Sequence, residues 1–391
     1  MKDSPVRGFT VAAATVLLAG QVALAQPRPR ARDLGVPFEG TPGPLNAITD
    51  VAGVEVGLVT LISGDGPLKV GSGPVRTGVT VVLPRGKHST DPVFAGWHSM
   101  NGNGEMTGTT WIEEGGFMEG AAFITNTHSV GVVRDASIAW SAKQGNLFQP
   151  WSLPVVAETY DGYLNDINGF HVKPQHVFDA IEGARSGPVA EGNVGGGTGM
   201  VCYGFKCGTG TASRTLEARA GGYTVGVLVQ ANHGSRALLR VAGAPVGAEI
   251  PQQAAERRAN DGVEELGSII IVVATDAPLV PHQLKRIARR ASLGLGRTGS
   301  VSGNGSGDIF LAFSTANPGA ASAKGSAQVT MVANEAITTL FQATVEATEE
   351  AIINALVAGQ TMTGVDGHRI PGIDHAELAR ILKKYNRLAG R

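Results

Sequence analysis

Gly267-Ser268-Ile269-Ile270-Ile271-Val272-Val273-Ala274-Thr275-Asp276-Ala277-Pro278 decides how this chain is read. A β-branched run this apolar predicts a strand buried on both faces, closed by a turn over Asp276 to Pro278. A Gly-Ser pair stands at its head. In the bland reading Gly267 ends the acidic segment Val263-Glu264-Glu265-Leu266 and Ser268 merely begins a core strand. In the sharper one the chain is cut between Gly267 and Ser268, which leaves Ser268 as a new N-terminus. A free α-amine has an ordinary pKa of roughly 7.7 to 8.0, so an N-terminal serine carries its own general base.

Outward from this strand, other runs have the same grammar. Val54 to Val59 and Gly78 to Leu83 alternate β-branched residues with Gly-rich turns, as hairpins do. Asn101 to Gly108 predicts a loop leading into a helix through Trp111-Ile112-Glu113-Glu114, with Glu105 read as a solvated loop acid. Phe123 to Thr127 predicts a buried strand with His128, read as a packed residue, at its end. Leu153 to Tyr160 predicts an apolar strand ending in Glu158 and Tyr160, which a period of two places on one side. Tyr223 to Asn232 predicts another strand that ends in an amide. Pro281 to Leu295 reads as an amphipathic helix, with Leu284, Ile287, Ala288 and Ala291 inward and Lys285, Arg286, Arg289 and Arg290 solvated. Ser306 and Asp308 precede the strand Ile309 to Phe313. A long helix from about Asn334 to Leu356 and a last helix opened by Asp374, with Glu377 as its box partner, follow.

Composition bounds the classes. Apolar residues at 42% and charged residues at 17% describe a globular chain with a sizeable core, and a net charge of -1 gives no electrostatic reason to expect nucleic acid or an anionic membrane as partner. The 55 glycines, interleaved with apolar strands, imply tight turns and close backbone approaches. Residues 1–25 have the anatomy of a secretory signal: Lys2 and Arg7, an apolar stretch from Phe9 to Leu18, then Ala23-Leu24-Ala25. Cleavage after Ala25, a periplasmic or secreted protein and a flexible, solvated basic leader over Pro27 to Arg32 are therefore expected. Cys202 and Cys207 are read equally as two structural thiols or as a disulfide. Neither a zinc ligand set nor His-Glu-x-x-His is present, and Asn193 to Met200 lacks the ending of a phosphate loop, so no metal and no cofactor are expected.

Ile48-Thr49-Asp50-Val51, Asn101 to Gly108, Glu158-Thr159-Tyr160-Asp161-Gly162, Gln230-Ala231-Asn232-His233-Gly234, Gly267-Ser268 and its strand, Arg297-Thr298-Gly299-Ser300 and Gly303 to Asp308 follow one another in an order that resembles a known family. That family is the L-aminopeptidase/D-esterase and β-aminopeptidase family, the DmpA-like N-terminal-nucleophile hydrolases, which cut themselves into a large and a small subunit. The resemblance implies an α/β fold, the four-layered αββα sandwich shared with ornithine acetyltransferase. It implies a large subunit over 26–267 and a small one over 268–391, forming one domain and assembling as a homo-oligomer. It implies that Gly267 and Ser268 flank the cleavage site and that Ser268 is the nucleophile. Of the competing Gly-Ser pairs, a cut at Gly305-Ser306 would strand the Ser268 run in the other chain, so Ser306 and Asp308 are assigned to support Ser268. The family carries a glutamate in several relatives where this chain has the shorter Asp308. Asn232 and Tyr160 are assigned to the oxyanion, and Glu158 to the free amine of a short peptide or an amino-acid amide or ester, with β-amino and D-residues both open. Two alternatives stand beside this: an acyltransferase of the ornithine acetyltransferase type, disfavoured by a serine where that enzyme uses threonine, and an uncleaved exported binding protein.

Overall fold

In the computed structural model, residues 29–145, 147–250, 267–322 and 324–389 are described. The signal segment, the cut after Ala25 and the acidic residues Val263 to Leu266 lie outside them. The chain begins with β1 (Glu55–Ser63), β2 (Val75–Leu83) and β3 (Val93–Ser99), then α1 (Thr109–Gly115), β4 (Phe117–Met118), β5 (Ala122–Asn126), α2 (Val130–Gln144), β6 (Val155–Thr159) and α3 (Pro174–Glu182). A short hairpin, β7 (Val201–Cys202) and β8 (Phe205–Lys206), leads to β9 (Thr209–Thr215), β10 (Thr224–Asn232) and α4 (Val246–Glu249). After the undescribed segment come β11 (Ser268–Thr275), α5 (Pro281–Arg297), β12 (Ile309–Ser314), α6 (Thr338–Ala358), the pair β13 (Met362–Thr363) and β14 (Arg369–Ile370), and α7 (His375–Lys384).

Two sheets face each other. One has the order β1-β2-β5-β6 and the other β4-β3-β12-β11-β10-β9. The predicted central strand is buried throughout, and its pleat divides it between two cores. Ile270, Val272 and Ala274 meet Val82, Ile124 and Ala157 of the first sheet. Ile269, Ile271 and Val273 meet Leu284, Ile287 and Ala288 of α5 and Ile352 of α6. A third core packs α2 and α3, through Val133, Trp140, Val177 and Ile181, on the outer face of the first sheet. The layers therefore run helix, sheet, sheet, helix, as expected for an αββα sandwich. Each fully buried Val or Ile contributes roughly 1.5–3 kcal/mol, so a strand buried on both faces is among the strongest determinants of such a fold.

Glycine lets the helical layers close on the sheets. A β-carbon at Gly96 in β3 would collide with the backbone of Leu284 and Lys285 in α5, and one at Gly210 in β9 would collide with the carbonyl of Ala351 in α6. The long C-terminal helix starts at Thr338, later than expected, because a 3-10 turn occupies Asn334–Ala336. Asp374 caps α7 by accepting from the amides of Ala376 and Glu377, 2.8 and 3.1 Å away. Glu377 turns to Arg380 instead of closing a capping box. The cations of α5 are only partly a solvated face, since Arg286 and Arg290 both lie over the ring of Phe341, at 5.0 and 4.0 Å.

The basic leader is a correction where it is described. Arg30 pairs with Glu191 at 2.8 Å and Arg32 with Glu350 at 2.7 Å, while the amide of Ala31, itself fully buried, donates to Asn354. Glu191 and Glu350 are buried at the edge of the β9–α6 core, and the leader brings a cation to each, Glu350 being held also by the buried Arg214 at 2.8 Å. Burial still pushes the Glu191 carboxyl up, against the opposing pull of Arg30. Removing Arg30 takes the cation of this pair from Glu191, which keeps the amide of Thr211 as a partner. Arg30→Ala is therefore expected to cost about 3 kcal/mol of stability, read as a lower urea midpoint at unchanged m-value.

Candidate active site

Strand register brings the first two residues together. Asn232, the last residue of β10, lies directly opposite Ser268, the first of β11, so their side chains stand side by side on one face of the sheet. Next to Ser268, Gly267 has no room for a side chain, since a β-carbon there would collide with the Asn232 carbonyl. The parallel neighbour β12 adds the turn that precedes it. The amide of Gly307 donates to Ser268 Oγ at 3.0 Å, and Ser306 Oγ stands 2.6 Å from both the carbonyl oxygen of Gly267 and Oδ1 of Asp308. The same Oδ1 accepts from the amide of Ile269 at 3.1 Å, so the shorter aspartate arm does reach the head of β11.

One hydroxyl has one proton, so Ser306 cannot donate to Gly267 and to an ionised Asp308 at once. Burial pushes the Asp308 carboxyl up, against hydrogen bonds from Ser306, Ser302 and the Ile269 amide. A protonated Asp308 can donate to Ser306, which then donates to the Gly267 carbonyl. Either way, Ser306 Oγ stands against the one peptide carbonyl adjacent to Ser268.

Glu158, the penultimate residue of β6, is 3% exposed. Its Oε2 accepts from Thr127 Oγ1 at 2.5 Å and its Oε1 from the Glu105 amide at 3.0 Å. Burial pushes this carboxyl up as well, and those two bonds only partly offset it. Glycine again joins the two halves of the site. A β-carbon at Gly104 would lie 3.0 Å from Cα of Gly307 and 3.2 Å from Oε1 of Glu158. The Asn101 to Gly108 loop is pinned across this gap by the Asn103 side chain, which donates to the Gly305 carbonyl at 2.8 Å, and by the Asn101 side chain on Gly303.

Tyr160 stands one residue past the end of β6, so the period-two argument stops short of it. Its side chain is 43% exposed. Its phenol folds over Gly162, where a β-carbon would meet the ring. What it offers Asn232 is its backbone carbonyl, which accepts from Nδ2 at 2.8 Å. Asp161 behind it is enclosed, and burial pushes its carboxyl up to about 7, against bonds from Thr77, Asn165 and Asn126. His233 is no base for Ser268: desolvation holds its pKa down to about 3, and it packs edge-on against Tyr203. His128 is exposed and stacks on Phe170 with ring centroids 6.0 Å apart.

Ser268, Ser306, Asp308 and Gly267 thus form one bonded cluster with the Gly307 amide, Asn232 stands beside it across the strand pair, Glu158 lies across the Gly104 contact and Tyr160 at the rim. Sequence reasoning passed over Gly307 and Thr127. Gly307 acts through its amide, which any residue has, and only the Gly-Ser-Gly-Asp context marks it. The charge of Glu105 was weighed, yet only its amide is used. Among the described residues no group of three or more His, Cys, Asp or Glu side chains could hold a metal ion. No described helix is long and apolar enough to cross a membrane.

Comparison with known proteins shows the family. The model of peptidase family S58 matches residues 46–370. The chain is 60% identical to the β-peptidyl aminopeptidase BapA of Sphingosinicella microcystinivorans, over 97% of this chain and 98% of that one. It is 51% identical to BapA of Sphingosinicella xenopeptidilytica, over 95% and 93%. Among solved structures it superposes on the L-aminopeptidase D-Ala-esterase/amidase of Ochrobactrum anthropi, a prototype serine aminopeptidase with a variant of the Ntn hydrolase fold. The TM-score is 0.86 and the identity 50%, covering 93% of this chain and all of that one (100%). A Burkholderia sp. β-aminopeptidase gives a TM-score of 0.82 at 49% identity, covering 93% and 99%.

Proposed function

The chain belongs to peptidase family S58 and is a serine aminopeptidase of the N-terminal-nucleophile hydrolase class, and from that premise we propose that it frees Ser268 by cutting itself after Gly267 and then removes the first residue of short peptides and amino-acid amides, β-amino residues foremost. The observation that carries the cut is the Ser306 hydroxyl on the carbonyl of Gly267. The β-amino preference rests on the two Sphingosinicella relatives.

In the first step Ser268 Oγ attacks the Gly267 carbonyl carbon while its proton passes to the departing amide nitrogen. The peptide bond becomes an ester, with the negative oxygen of the intermediate supported by Ser306 and Asp308. Water hydrolyses the ester, which leaves a carboxylate on Gly267 and a free amine on Ser268. In the second act that amine takes the Ser268 hydroxyl proton as Oγ attacks the substrate carbonyl, and hands it to the leaving amine. Asn232 donates to the oxyanion, a role of the kind that subtilisin's asparagine illustrates, and Tyr160 flanks it. Glu158 receives the substrate ammonium. The acyl-enzyme ester is then released by water.

Residues 26–267 and 268–391 are the two subunits of this reading, both needed in one domain, since β11 lies between β10 and β12. Export by the N-terminal signal and assembly into a homo-oligomer complete it. The test is a denaturing gel and N-terminal sequencing. Two bands of roughly 25 and 13 kDa are expected, in proportion to the 40.2 kDa of the whole chain, and the smaller should begin Ser-Ile-Ile-Ile-Val. A single band would return the chain to the uncleaved reading, and a small band beginning Ser-Gly-Asp-Ile would make Ser306 the nucleophile.

A further inference from the structure

An asparagine amide serves an oxyanion only if the correct end faces it. Here Oδ1 of Asn232 accepts from the Val201 amide at 2.8 Å, while Nδ2 donates one proton to the Tyr160 carbonyl at 2.8 Å. Flipping the amide would set Nδ2 against an N–H and Oδ1 against a carbonyl, so the orientation is decided by these two backbone groups. The second Nδ2 proton is then the one left for the face shared with Ser268. Val201 N–H is therefore half of the device that aims Asn232.

Val201 opens the β7–β8 hairpin, in which it pairs with Lys206 and Cys202 pairs with Phe205. The two-residue turn is Tyr203-Gly204, with φ of 51° and 68°. Both lie in the left-handed region, as a type I′ turn demands, but a bulky tyrosine is out of place there. Two strands of two residues have no stability of their own in water. Yet this hairpin is fastened at every point. A disulfide joins Cys202 to Cys207 across its base, with Cα atoms 5.4 Å apart. The Lys206 ammonium, fully buried, reaches the carbonyls of Met200 at 2.7 Å and Cys207 at 2.6 Å. The Tyr203 hydroxyl bonds Thr298 at 2.7 Å, and Arg236 holds the Tyr203 carbonyl at 2.8 Å. Met200 and Cys207, the two residues gripped by the ammonium, flank the hairpin and bond each other through the Cys207 amide. A buried cation is an unfavourable way to secure a turn unless the position of that turn matters.

We propose that the Cys202–Cys207 disulfide and Lys206 are positioning residues for hydrolysis, which hold the Val201 amide where it locks the Asn232 carboxamide with its free proton toward the oxyanion. This rests on the assignment of Asn232 to the oxyanion. The disulfide is thus more than a general staple: its loss is felt as misaim of one amide proton. Misplacing a catalytic group slightly costs much of its effect, while the strand that carries Asn232 remains in the sheet.

The test is a double-mutant cycle on the processed enzyme, with an amino-acid p-nitroanilide as substrate. Cys202→Ser/Cys207→Ser is expected to lower kcat about tenfold, with KM within about twofold, and Lys206→Met to act in the same direction. In an Asn232→Ala background the cysteine pair should add no further loss, because the proton it aims is already gone. A wild-type kcat in the cysteine variant, or an equal loss with and without Asn232, overturns the proposal. A wild-type kcat in Asn232→Ala alone overturns instead the oxyanion assignment on which it rests. Should the cysteine variant fail to fold or mature, processed wild type is reduced with tris(2-carboxyethyl)phosphine and its thiols counted. Activity falling in step with thiols at unchanged near-UV circular dichroism supports the proposal. Retained activity at full reduction, or loss of the near-UV signal in step with activity, overturns it.

Discussion

Ser268→Ala is expected to leave one unbroken, folded chain with no measurable turnover. The hydroxyl is asked to act twice, first on the Gly267 carbonyl and then on the substrate, and nothing nearby replaces it: Ser306 Oγ is engaged between Gly267 and Asp308. Removing the nucleophile of a serine hydrolase lowers kcat by about six powers of ten, and the uncut precursor also keeps its base locked in a peptide bond. The loss should not come from unfolding. The substitution removes one acceptor, for the Gly307 amide, and a buried N–H left without a partner costs about 1–3 kcal/mol. The rest of β11 keeps its pairing to β10 and β12. The measurement is a gel beside a circular dichroism melt and a p-nitroanilide assay. Normal cleavage in this variant would assign processing to another protease, and full activity without cleavage would remove the N-terminal nucleophile altogether.

What could be read from the sequence follows the reach of the forces involved. The strand from Ser268 to Thr275 was legible because burial on both faces demands apolar residues at every position, which is a local pattern. The ends of β6 and β10 were legible for the same reason, as apolar runs that stop at Glu158 and Asn232. Pairing those ends was not, since register depends on residues far apart in the chain, and the Asn232–Ser268 pair exists only across two strands. The family resemblance supplied the pairing that periodicity could not. Arg30 and Arg32 show the opposite failure. A basic run beside prolines reads as solvated, and only the fold reveals that Glu191 and Glu350 are buried where the run passes. Backbone donors are the least visible of all. The amides of Gly307, Glu105 and Val201 each hold a key side chain, and an amide has no signature in the sequence beyond the turn that aims it.

Glu158→Gln is expected to slow free-amine substrates by about one to two powers of ten, because a charge-assisted hydrogen bond contributes roughly 1.5 to 3 kcal/mol. Capping the substrate amine removes the same charge from the other side. The variant should therefore lose little on an N-acetylated substrate, on which the wild type is already slow. The pH dependence separates this from a packing effect. Burial raises the Glu158 carboxyl, so the ionised form that an ammonium needs is present only above that raised value and is lost as pH falls through it. The substrate amine must stay protonated, which sets the alkaline limit at that amine's own pKa. Wild-type kcat/KM for a free-amine substrate should thus fall in acid through two ionisations, protonation of the Ser268 amine that serves as base and protonation of Glu158. In Glu158→Gln only the Ser268 ionisation should remain, so the acid limb becomes shallower, from about two powers of ten per pH unit to about one. Glutamine keeps the size of the side chain; its oxygen can accept from the Glu105 amide while its NH2 donates to a Thr127 hydroxyl that turns round, so the pocket is kept and the charge removed. We would compare kcat/KM for a β-alanine p-nitroanilide and its N-acetyl form, in both enzymes, across the acid range. A wild type that cleaves the acetylated compound as fast as the free amine would make the site that of an amidase or endopeptidase, and an acid limb as steep in the variant as in the wild type would assign the second ionisation to another group.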